Sequence, residues 1–137
     1  MKLKSNDIRL GSWVLWQNVP MQVRVYEIEI QQSVDNNTLH ENHGVYGLSL
    51  TPNILTKSGF DARDASDEGY LGSIFTLIHM VGDKMDYFTL VKDKDEYQFE
   101  FYYDESSKIR AHRPLRYVHE LQNLYFALYG EELNIVI

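Results

Sequence analysis

The residues best equipped for chemistry lie between Lys108 and Arg116. KIRAHRPLRYVH (108–119) holds four Lys/Arg and two His with no acid. On a strand, Lys108, Arg110 and His112 share one face while Ile109 and Ala111 take the other. Arg113 and Arg116 follow at the start of a helical pattern, where the macrodipole favours negative charge. Cations beside the positive end of a helix suit an anion site, with guanidinium forks and backbone N–H groups converging on a phosphate. The weightier alternative is that these side chains pair with nearby acids or reach water, which exposed arginines do at little cost.

Other constellations are weaker. His40 and His43 form an HxxH in an Asn-rich loop, but a zinc site needs a third ligand and a held backbone. DARDASDEG (61–69) is acidic, yet it lacks the alternate oxygen ligands and distal glutamate of a calcium loop, and Arg63 sits inside it. His119 has no serine or cysteine nucleophile in a recognisable setting, and no Gly-Lys-Ser/Thr phosphate loop occurs. These readings give no catalytic set, no metal and no cofactor. The aromatic run YQFEFYY (97–103) can stack bases, but its alternation assigns Tyr97, Phe99, Phe101 and Tyr103 to a core face.

The elements that must position the basic segment follow from periodicity. Tyr117, Leu121, Leu124 and Leu128 form a helical stripe, widened by Val118, Tyr125 and Tyr129. His119, Glu120 and Asn123 fall outside it, and Phe126 breaks it. Pro114 suits a first turn and Gly130 a left-handed C′ position, so the pattern predicts a helix over 114–129. Upstream, strands are expected at 12–16, 21–30, 45–50, 73–80, 85–91, 96–103 and 108–112. The phase of 21–30 slips between Val25 and Tyr26, which reads as a β-bulge. Thr51 as N-cap, Pro52 at N1 and Gly59 at C′ predict a short helix over 51–59. LNIVI (133–137) reads as a last strand or an ordered tail. The expected fold is α+β in one domain, 1–137. A small barrel-like sheet (8–50) and a short helix (51–59) come first. An antiparallel meander covered by the C-terminal helix (70–137) follows.

Composition bounds the rest. With 137 residues, 44% hydrophobic and no cysteine, the chain has enough apolar content for a core and no disulfide or thiolate chemistry. MKLKSNDIRL has no apolar h-region and no segment is long enough to span a bilayer, so a cytoplasmic protein without a membrane partner is expected. The net charge of −7 argues against a general nucleic-acid coat protein. Residues 1–60 balance five Lys/Arg against five Asp/Glu, so the whole surplus lies in 61–137.

DIRLGSWV, LSLTPNILTKSGF and YVHELQNLYFALYGEEL, in that order, resemble a family of short proteins encoded by anaerobic gut bacteria, their phages and mobile elements. The last segment is the most specific; Pro52, Asn53 and Tyr129 depart from the usual pattern. The resemblance implies a phage or mobile-element setting and transfers no activity or catalytic residues. Two functional readings remain. The leading one is a non-enzymatic adaptor that binds a host or phage protein, in keeping with ten tyrosines and an acidic surface. The other is a binder of nucleotide or nucleic-acid phosphate through Lys108, Arg110, His112, Arg113 and Arg116. Neither reading fixes an oligomeric state.

Overall fold

The computed structural model describes residues 2–64, 73–102, 108–110 and 113–137. The chain is α+β, with two antiparallel sheets. It divides into two compact units: Met1–Ser49 with Tyr117–Asn134, and Leu50–Arg116 with Ile135–Ile137.

In the first unit, β1 (Trp13–Trp16) is the centre of a three-stranded sheet in the order β2-β1-β3. It meets β2 (Val19–Gln22) through a two-residue turn in which Gln17 and Asn18 both have positive φ. That is the primed geometry that matches strand twist. On its other side it pairs with the two residues of β3 (Tyr46–Gly47). Leu3, Ile8, Val14, Val23 and Val45 form the apolar core here. The sheet is open, not a barrel, because the second half of the expected long strand is a helix. Residues Val25–Asp35 form α1, and 21–30 contains no β-bulge. The fully buried residues of α1 are polar, Glu27 and Gln31, while Val25 and Tyr26 are 58% and 55% exposed and Ile28 packs against the apolar core.

The C-terminal helix is α3 (Val118–Tyr129), closed by Gly130 in the left-handed region as expected. It begins four residues later than the 114 start, with Tyr117 as N-cap, so Pro114 precedes it. Its polar side chains bind the N-terminal segment of the same unit. Gln122, 2% exposed, accepts from the Trp13 N–H at 2.8 Å and donates to the Gly11 carbonyl at 3.2 Å. Asn123 donates to the Asp7 carbonyl. Arg9 donates to Asn123 Oδ1 and the Gln122 carbonyl, pairs with Glu132, and stacks over the Phe126 ring at 4.4 Å. The described bonds of α3 therefore tie it into the unit of the three-stranded sheet.

The second unit opens with α2 (Pro52–Lys57). As the sequence implies, Thr51 Oγ1 accepts from the Ile54 N–H and Gly59 has a positive φ. A five-stranded sheet follows in the order β4-β5-β6-β7-β8. Its strands are β4 (Asp61–Asp64), β5 (Ser73–Val81), β6 (Lys84–Asp93), β7 (Glu96–Tyr102) and β8 (Lys108–Arg110). The expected meander is present, joined by β4 from a segment read as an acidic connection; residues 65–69 of that segment lie outside the described residues. One face is core: Phe75, Phe88, Leu90, Tyr97 and Phe99 are buried, with ring contacts Phe75–Tyr97, Phe60–Phe88 and Phe88–Phe99 at 5.8, 6.1 and 4.8 Å. Burying each such side chain stabilises by about 1.5–3 kcal/mol before its ordering entropy. The expected core face of 97–103 is thus found at Tyr97 and Phe99; Tyr103 lies outside the described residues. LNIVI forms an ordered tail and no strand: Leu133 and Ile135 are buried, and the Val136 N–H donates to Ser58 Oγ.

Candidate functional site

The basic segment does not assemble at a helix start. Arg116 precedes the N-cap Tyr117, and the first turn of α3 carries Glu120, whose carboxylate accepts the Tyr117 N–H at 3.1 Å. The conflict with the macrodipole therefore dissolves: an acid, not an arginine, occupies the positive end. Arg116 turns to Glu96 instead, donating from Nε to Oε1 at 2.7 Å and from a second nitrogen to the same oxygen. Lys108 and Arg110 lie on β8, with Arg110 in register directly opposite Glu100 and Lys108 opposite Tyr102. Arg113 is exposed, and His112 lies outside the described residues. Of these side chains, Arg116 is committed to an acid.

Other titratable groups are committed to structure. His40 Nδ1 accepts the Asn42 N–H, capping a short 3-10 turn (Glu41–His43). His119 is buried in α3, its ring stacked 6.0 Å from that of Tyr117. The Tyr97 hydroxyl is buried without a hydrogen-bond partner among the described residues. Burial, helped by the Asp95 charge, pushes its pKa up to about 12, so it stays protonated at neutral pH. Asn6, Asp7, Ile8, Arg9, Asn123 and Phe126 line a shallow cleft. All three donor nitrogens of Arg9 there already have protein partners.

Among the described residues, the end of the β5–β6 hairpin presents an apolar surface. Antiparallel register sets Ile78 across from Tyr87 and Met80 across from Met85. Alternation puts all four on the sheet face opposite Phe75, Phe88 and Leu90. They are 48%, 53%, 56% and 57% exposed in that order. Nearer the sheet centre on the same face, Thr76 pairs with Thr89, and then buried Ile74 with buried Val91. The hairpin ends in a tight turn with Gly82 at φ +61°. Apart from the Tyr87 hydroxyl, this quartet carries no group for nucleophilic or acid–base chemistry. What it offers is a contiguous apolar face with two pliable thioethers and a tyrosine. Strand assignment of 73–80 and 85–91 from the sequence does not single the quartet out. The signal was present: SIFTLIHM is apolar at both parities, more than a sheet covered on one face requires. Comparison with family models, curated proteins and solved structures gave no match to this chain.

Proposed function

We propose that the chain is a non-enzymatic adaptor that binds another protein through the apolar face of the β5–β6 hairpin. The observation that carries this reading is the quartet Ile78, Met80, Met85 and Tyr87, each about half exposed and all adjacent across one strand pair. Contiguous exposed apolar patches mark interaction surfaces, and Met and Tyr are enriched in them. The pairing of Arg116 with Glu96 favours this reading over a phosphate site, since that cation is already matched by an acid. The motif resemblance supports a phage or mobile-element setting, with a host or phage protein as the proposed partner.

The test is affinity capture from a bacterial host lysate with three tagged chains: wild type, Met85→Ser/Tyr87→Ser, and Arg110→Ala/Arg113→Ala. A stoichiometric partner is expected with the first and third and lost with the second. No stoichiometric partner, or equal capture by the hairpin variant, overturns the reading. Salt-sensitive nucleic-acid binding that only the arginine variant loses would establish the phosphate reading instead.

A further inference from the structure

The quartet is small for an interface: a standard one takes about 20–30 residues from each side. The same hairpin carries a second feature, at its edge. Strand β4 is blunted, with Asp61, Arg63 and Asp64 placing three charges in four exposed residues. Such charge is the usual protection of an edge that would otherwise recruit another chain. But β4 reaches only as far as Asp61, opposite Thr76, while β5 runs on to Val81. From Leu77 to Val81 the outer edge of β5 is paired with no strand among the described residues, and LIHMV holds no Lys, Arg, Asp, Glu or Pro. The chain leading into β4 leaves this edge for the core face: Gly59, at φ +97°, lies beside the Leu77 side chain, and Phe60 packs edge-on against Phe88.

We propose that two copies of the chain join along this edge, β5 against β5, about a two-fold axis at His79. Antiparallel pairing then sets Leu77 opposite the partner's Val81 and Ile78 opposite the partner's Met80. The gap fits, because each added strand ends at its Gly82–Asp83 turn, where β4 of the other copy begins. Opposed residues in an antiparallel pair point to the same side of the sheet. The two quartets therefore share one face and merge into a single surface of eight apolar side chains. Two-fold, self-complementary contacts are the commonest form of assembly. The adaptor surface proposed above is completed by the second copy; the larger surface rests on that reading, whereas the edge pairing stands on the strand geometry.

Sedimentation equilibrium on the full chain, with backbone amide exchange measured on the same samples, tests the pairing. The expected result is a species of twice the chain mass, with the outward-pointing amides of Ile78 and Met80 protected as concentration rises. Ile78→Lys/Met80→Lys should lose both. Met85→Ser/Tyr87→Ser, on the inner strand, should keep the dimer. A chain monomeric at every concentration, or a folded lysine variant that stays dimeric, overturns the proposal. If circular dichroism finds the lysine variant unfolded, the wild-type mass and exchange pattern decide alone. A monomer that still captures a partner through Met85 and Tyr87 overturns the dimer and leaves the adaptor reading standing.

Discussion

Polar side chains of the two motif segments act as clamps. Gln122, Asn123 and Glu132 belong to the segment YVHELQNLYFALYGEEL, and Asp7, Arg9, Gly11 and Trp13 to DIRLGSWV. Their hydrogen bonds to one another give a physical reason for the two segments to occur together. In α1, desolvation pushes the pKa of the buried Glu27 carboxylate up, but the Arg24 guanidinium and backbone N–H donors outweigh it and hold the group below its ordinary 4.5. Asp35 behaves alike: burial raises it, and the Ser5 N–H and hydroxyl with the Gln31 amide bring it below 3.8. A folded-state pKa below the unfolded one gives stability that is present above the unfolded value and lost as pH falls through the folded one. Acid titration followed by circular dichroism should therefore show stability declining below about pH 4.5. In Glu27→Gln/Asp35→Asn that acid dependence should flatten, at the cost of lower stability at pH 7. An unchanged acid limb would assign the dependence to other carboxylates.

Elements were legible where local chemistry and burial agreed. Thr51, Pro52 and Gly59 specify α2, and the alternation and turns of 73–102 specify the hairpins, because cap geometry and a one-sided core reinforce each other. Helix α1 was illegible for the converse reason. Its fully buried positions are Glu27 and Gln31 and its first apolar pair, Val25 and Tyr26, is exposed, so apolar periodicity misses the buried face, and β-branched Val25, Ile28 and Ile30 imitate a strand. The discernible signal was Glu27 three residues after Arg24, the acidic half of a capping box. The same device opens α3 through Glu120, and overlooking it set the helix start at Pro114. Strand β3 depends on a missing side chain. A Cβ on Gly47 would lie 2.5 Å from the Tyr117 ring. Gly47→Ala should destabilise the first unit by ~1–3 kcal/mol in urea unfolding. The loss should shrink in a Tyr117→Ala background, since the two changes share one clash. Equal losses in both backgrounds would exclude the ring as the cause.

At the scale of the molecule, the first unit is assembled from Met1–Ser49 and Tyr117–Asn134, with the whole of Leu50–Arg116 between them. Closing so long a segment costs entropy that grows only logarithmically with its length, so the arrangement is affordable, but its native pairs are far apart in sequence. A chain ending at Arg116 should therefore lose the first unit as well as α3. The buried polar groups that Gln122 satisfies, the Trp13 N–H and Gly11 carbonyl, would be left without it. Proton–nitrogen correlation spectra should show collapsed dispersion for residues 2–49, and native dispersion there would refute the dependence. The candidate site was less legible than the fold. A strand apolar on both faces announces surplus hydrophobicity, but only register shows that Ile78, Met80, Met85 and Tyr87 gather on one exposed face.

Where the chain leaves the first unit and where it returns are side by side. Ser49 and Tyr117 form an antiparallel bridge, the Val118 N–H donates to the Leu48 carbonyl at 2.9 Å, and the Leu50 N–H donates to the Arg116 carbonyl at 2.8 Å. Two chain ends held this close form a socket: whatever folds between them need only bring its own termini together. The hairpin that carries the proposed contact surface lies wholly within that interval. Its length, charge and apolar face are thus free to be rewritten, by evolution or by grafting, without touching a single ligand of the Arg9–Gln122 clamp.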